Sequence, residues 1–229
     1  MVGIYGFADL KFKINYNHPY FEELAKDYRL ETDDFDAEIS VTDAEIEAEN
    51  LDGTSSVDYL ESLAIYRKIA EKIVGFSGFL MHGVVVATEG KGVAFLARSG
   101  TGKSTHAMLW KEFLGDKLEI INGDKPLIRL IDGEFYAYGT PYAGKENIHK
   151  NDKVKLTDVF FIERNEKNFV TPCEDIFRRI AQQIYIPRNE KMLKTLELID
   201  SFSKKVNFHV IHCNKDIEAA EVAYSKIKD

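Results

Sequence analysis

"FLARSGTGKSTHAMLW", residues 95–110, decides how the rest of the chain is read. A short β-rich run leads into Ser99-Gly100-Thr101-Gly102-Lys103-Ser104-Thr105, and an apolar helical pattern follows. Phosphate-binding loops follow the pattern G-x-x-x-x-G-K-[ST]. Gly102, Lys103 and Ser104 meet its end, while Ala97 stands where the first glycine belongs. The chemistry behind the pattern shows which departures matter. A helix N-terminus presents unpaired N–H groups and the positive end of the helix dipole. Glycines before it let those groups converge on an anion. Gly100 and Gly102 supply that freedom. Lys103 has the reach for β- and γ-phosphates, and Ser104 can place its hydroxyl on Mg²⁺. Ala97 marks where the strand turns, and a methyl is tolerated there if φ is negative. The bland alternative is a glycine-rich helix cap with no ligand.

The flanks place this loop in an α/β domain. Val84 to Thr88 and Val93 to Leu96 are β-rich runs joined by "EGKG", a hairpin signal. The second run feeds the loop, and a helix is predicted from about Lys103 to Phe113. "LEIINGDKPLIRL" and "EFYAYG" read as strands, the first interrupted by Gly123 and Pro126, and "KLTDVFFIER" as a further apolar strand. Helices are predicted over about Glu174–Ile184 and Glu190–Ser203, then strand "KVNFHVIHC" and helix Asp216–Lys226. Towards the N-terminus, Leu10, Phe12, Ile14 and Tyr16 alternate with polar residues, as do Phe35, Ala37, Ile39 and Val41, which is strand period. Thr42 and Glu45 can form a capping box. Leu60, Leu63, Tyr66 and Ile73 recur at helical spacing behind Ser55 and Ser56. One domain over 1–229 is expected, with a β-rich subregion over 1–55 and a nucleotide-binding core over 79–165.

The stretch "MHGVVVATEGKGVAFLARSGTGKS" resembles the HPr kinase/phosphorylase family. In that family a His-Gly opens a strand, a hairpin follows, and the second strand runs into a G-x-S-G-x-G-K-S loop. His82-Gly83, the hairpin, and Ser99 to Ser104 align in order and spacing. The family's next strand ends in paired aspartates, and here Gly123-Asp124 stands at that place. Its N-terminal domain and its downstream signature loop are not recognisable. The resemblance implies a mixed β-sheet flanked by helices, related to the ATP-dependent phosphoenolpyruvate carboxykinases. It also implies ATP and Mg²⁺ as cofactors and transfer of phosphoryl to a hydroxyl acceptor: a peptide or protein serine, or a small metabolite. Relatives that are hexamers suggest a homo-oligomer.

Asp124 follows an apolar strand and precedes Lys125-Pro126. A carboxylate there can bind Mg²⁺, take a proton from an attacking hydroxyl, or simply make a turn. Gly123 removes the first of the paired acids, which puts the reverse reaction in doubt and leaves open a nucleotide-binding regulator without transfer activity. His82 is either structural or a phosphate or acceptor contact. In "GTPYAGKENIH", glycines and proline around an aromatic suggest a shaped loop, from which Lys145 could hold a phosphate or an acidic acceptor or simply be solvated. Arg164 ends "VFFIER" and could stabilise transferring charge. Cys173, Cys213, His209 and His212 are too scattered for a zinc site.

The whole chain narrows the class. Its 229 residues are 45% hydrophobic and 30% charged, which suits a soluble globular protein. No apolar run approaches the roughly 20 residues of a spanning helix, and no signal-peptide pattern is visible, so a cytoplasmic protein without a membrane partner is expected. A net charge of −8 argues against a nucleic-acid partner. From Glu31 to Glu49 every charged residue is acidic, which suits a solvated face or a docking surface for a basic partner.

Overall fold

In the computed structural model, which describes residues 1–51 and 53–228, strands β1 (Val2–Phe7) and β2 (Leu10–Asn15) form a hairpin. Ala8 and Asp9 join them, both at positive φ, the backbone of a two-residue hairpin turn. β1 was not anticipated, since Gly3 and Gly6 break its apolar pattern. Tyr5, Phe7, Phe12 and Ile14 are all buried. α1 (Pro19–Leu24) begins with proline, and β3 (Arg29–Leu30) and β4 (Ala37–Ile39) complete a sheet of order β3-β1-β2-β4. The strand expected over Phe35–Val41 contracts to these three residues. Thr42 and Glu45 form the capping box that opens α2 (Asp43–Glu47). α3 (Val57–Ile73) packs Leu60 and Ala64 against Ile46 of α2. A first compact unit runs from Met1 to Phe76, past the β-rich subregion expected over 1–55, and a second begins at Ser77.

The second unit contains β5 (Gly78–Leu80), β6 (Val84–Thr88), β7 (Lys91–Leu96), α4 (Lys103–Leu114), β8 (Leu118–Asn122), β9 (Leu127–Ile131) and β10 (Glu134–Tyr138). Then come β11 (Lys153–Arg164), β12 (Phe169–Pro172), α5 (Ile176–Ala181), α6 (Met192–Lys205), β13 (Asn207–Cys213) and α7 (Glu218–Lys228). The sheet is mixed, with order β5-β9-β10-β11-β7-β6-β8 and β13 added beside β11. β11 is the long member. It pairs with β10 near its start and runs parallel to β7 and β13 along the rest. One face buries Leu96, Val159 and Phe161 with Ile199 and Phe202 of α6. The other buries Phe95 and Phe160 with Ala107 and Trp110 of α4 and Ala220 of α7. This is the α/β arrangement expected, a mixed sheet with helices on both faces. Three parallel strands, β7, β11 and β13, end close together, and crevices outside such ends commonly take ligands.

Candidate functional site

The loop from Ala97 to Gly102 leaves the end of β7 and enters α4. Gly100 at φ 76° and Gly102 at φ 127° take conformations that L side chains rarely adopt, so the expected glycine freedom is used. Lys103, His106, Ala107 and Trp110 lie on one buried stripe of α4 at helical spacing. Arg164, at the end of β11, donates from Nε to the Thr101 carbonyl at 3.0 Å and from its guanidinium to the Gly100 carbonyl. It braces the loop from its carbonyl side. Ser99 and Thr105 are exposed, Ser104 is half-buried, and the Ser104 hydroxyl has no hydrogen bond among the described residues.

Lys103 is only 8% exposed. Its Nζ lies 3.1 Å from the Ala97 carbonyl and 3.0 Å from Nε2 of His82. Burial pushes this ammonium below the ordinary lysine range, against the opposing charge of Asp124. The same His82 Nε2 lies 3.3 Å from Oδ1 of Asp124. One ring nitrogen thus faces an ammonium and a carboxylate together. It can accept from Lys103 or donate to Asp124, one at a time. Burial alone would raise the Asp124 carboxyl, but the hydrogen bond to His82 and the charges of Lys125, His82 and Lys103 bring it below the usual range. Asp124 is therefore ionised at neutral pH. Residues 82, 103 and 124, far apart in sequence, meet at one point.

Position 123 has no room for an acid. A Cβ on Gly123 would stand 2.6 Å from the Ala143 carbonyl and 3.2 Å from that of Ile148. The segment from Gly139 to Lys150 lies directly over it. Asn122, fully buried, holds that segment in place. Its amide donates to the Thr140 carbonyl at 2.9 Å, and its oxygen accepts from the Asp124 and Lys125 N–H groups at 2.9 and 2.7 Å. The Lys125 N–H also reaches the Tyr142 carbonyl. Lys145 projects from this segment, exposed, and the structure brings no partner to it among the described residues. Asn122 and Thr140 were not singled out in sequence. The only hint was an uncharged polar residue closing an apolar strand.

Two clefts flank the loop. One of about 370 Å³ is lined by Gly100, Thr105, His106, Leu109, Ile162 and Lys215, among others. His106 is buried there, its Nε2 accepting from Trp110 at 3.2 Å and its Nδ1 without a partner among the described residues. Burial lowers its pKa to about 4, so the ring is neutral with its proton on Nδ1. The other cleft, of about 380 Å³, opens beside Ala97, Arg98, Glu163 and α5. No group of three or more potential metal-binding side chains occurs among the described residues, and no helix there is long and apolar enough to cross a membrane.

No family model matches the chain, and no curated protein matches it. Among solved structures it is similar to the Hpr(Ser) kinase/phosphatase from Coxiella burnetii, over 66% of this chain and 99% of that one, at 11% identity and a TM-score of 0.37.

Proposed function

We propose that the second unit binds a nucleoside triphosphate, ATP, at residues 97–105 and transfers its γ-phosphoryl group to a hydroxyl. One observation carries this reading. A buried lysine at the first turn of α4, behind two positive-φ glycines, meets His82, which in turn meets an ionised Asp124. A cap without a ligand gives no reason to bury that ammonium in contact with an imidazole.

In this reading the N–H groups at the start of α4 and the Lys103 ammonium hold the β- and γ-phosphates. Ser104 and Asp124 are hard oxygen donors of the kind Mg²⁺ takes beside substrate phosphates. When bound, that ion would neutralise phosphate charge. The acceptor oxygen forms a bond to the γ-phosphorus while the bond to the β-bridging oxygen breaks, and that electron pair leaves with the nucleoside diphosphate. The hydroxyl proton passes to the Asp124 carboxylate. As Lys103 turns from His82 to a phosphate oxygen, His82 Nε2 is released to contact Asp124 alone. The cleft beside His106 takes the nucleoside, its apolar walls against the base and the Nδ1–H a donor to it.

The test is calorimetry with Lys103→Ala. A charge-assisted hydrogen bond contributes about 1.5–3 kcal/mol, so ATP affinity should fall about tenfold or more. Unchanged affinity would remove the reading. Asp124→Asn should lower turnover by about 10²–10⁴-fold, measured with labelled ATP on a hydroxyl panel or with water as acceptor. The closed position at Gly123 favours a second reading, a nucleotide-binding regulator with one carboxylate and no transfer. A chain that binds ATP and transfers to neither hydroxyl nor water supports that alternative.

A further inference from the structure

The cleft between the loop and α5 differs in charge from the chain around it. Arg98, Arg178 and Arg179 line it, with Glu163 the one carboxylate on its walls. That is three guanidinium groups against one acid, in a protein of net charge −8. The pairing inside the cleft is uneven. Arg179 is committed: it donates to Glu163 at 2.8 Å, and its guanidinium lies over the Phe161 ring at 5.5 Å. Among the described residues Arg178 meets only Asp175, at 3.2 Å in an exposed pair of the kind that contributes little. Arg98 is exposed and has no ion pair among the described residues. Two cations thus face the cleft without a firm partner.

A second observation comes from the cleft wall. Gln183 is 8% exposed, and its Oε1 is buried with no hydrogen-bond partner among the described residues. A buried unpaired amide oxygen is costly unless something donates to it. Gln183 is also tied to the proposed reaction centre, because its carbonyl accepts from the His82 N–H at 2.7 Å. Ala97, another wall residue, holds the Lys103 ammonium through its carbonyl. The cleft and the Lys103–His82–Asp124 cluster share these supports.

We infer that this cleft binds the acceptor, and that the acceptor is a small molecule carrying both a hydroxyl and an anionic group, carboxylate or phosphate. The inference rests on the kinase reading above and names its substrate class. Arg98 and Arg178 take the anion, since guanidinium matches both oxyanions in bidentate fashion. Gln183 Oε1 accepts from a second donor on the acceptor, whose reacting hydroxyl gives its proton to Asp124. The volume of about 380 Å³ suits a small ligand rather than a folded protein surface.

Calorimetry on the full chain tests this, with and without saturating Mg²⁺ and a non-hydrolysable ATP analogue. The probes are glycerate, glycerol 3-phosphate and, as the neutral control, glycerol. At least one anion should bind, glycerol should not, and whichever anion binds identifies carboxylate or phosphate. Arg178→Gln should weaken anion binding about tenfold or more, as expected for one lost charge-assisted contact, and leave analogue affinity within about twofold. Arg178→Lys should recover part of the loss. Binding of glycerol as tight as the anions, binding of the analogue but of neither anion, or an Arg178→Gln effect on the analogue instead of the anion each overturns the inference. A chain that binds the anion but not the analogue keeps the anion cleft and overturns the nucleotide reading instead.

Discussion

Gly123 shows how one residue can decide what fits beside Asp124. Its missing side chain makes way for the backbone of residues 143 and 148. An acid cannot be introduced there by substitution alone. Gly123→Ala should destabilise the protein by about 1–3 kcal/mol, the usual cost of overpacking, seen as a lower urea midpoint. A variant as stable as the parent would mean that the segment above yields freely. His106 is the other informative position. Its pKa is about 4 in the folded chain, below the ordinary histidine value, so the unfolded chain binds the proton more tightly between the two. Stability contributed by the neutral ring is present above about pH 6.5 and is lost as pH falls towards 4. That contribution amounts to about 3 kcal/mol at most. His106→Phe should flatten the stability profile across this window in urea titrations at several pH values. An unchanged slope would mean that the ring titrates normally. The same variant should alter nucleotide preference while leaving inorganic phosphate affinity intact, because Phe keeps the ring and removes the donor.

At the scale of elements, α4 and the hairpin before it were legible because periodicity and glycine chemistry agree there: Ala107 and Trp110 repeat at helical spacing, and Gly100 and Gly102 do what only glycine does readily. β1 was missed because Gly3 and Gly6 dilute its pattern, and β12 because Phe169–Pro172 is an edge segment with one large apolar side chain. The loop residues and Asp124 were singled out from local order and a family resemblance. The contact of Lys103 with His82, and the Asn122 strut, depend on strands brought together from distant parts of the chain, which no local pattern encodes. That strut makes a prediction of its own. Asn122→Ala removes the bonds to the Thr140 carbonyl and the Asp124 N–H, a loss on the order of 2 kcal/mol. The cost should appear as faster amide exchange over residues 139–150, with α4 still protected. Equal protection in both elements, before and after substitution, would mean that the loop is held by its backbone contacts alone.

For the whole molecule, the boundary between compact units lies after α3, and Glu61 shows why a cut near residue 55 differs from one near residue 77. The Glu61 side chain is fully buried on α3. It accepts from the N–H groups of Asn17 and His18 at 2.7 and 2.9 Å and sits 3.0 Å from Nδ1 of His18. A carboxylate at the first turn of α1 also meets the positive end of that helix dipole. Arg67 of α3 also makes a two-point pair with the largely buried carboxylate of Glu49, and Lys68 pairs with Glu45. A chain beginning at Ser55 keeps α3 but removes the Asn17 and His18 donors to Glu61, together with Ile46, which covers Leu60 and Ala64. A buried acid would then lack partners beside an uncovered apolar stripe, and unpaired buried charge is among the larger single costs in a fold. A chain beginning at Ser77 removes α3 as well, and Glu61 with it. Residues 55–229 should therefore be less stable and more prone to aggregate than residues 77–229, by thermal melts followed with far-ultraviolet dichroism and by light scattering. Glu61→Gln in the full chain should show the acid's own share, a loss on the order of 1–3 kcal/mol. If residues 55–229 melt as cooperatively and as high as the full chain, α3 does not depend on α1 and α2, and the first unit divides at residue 55 after all.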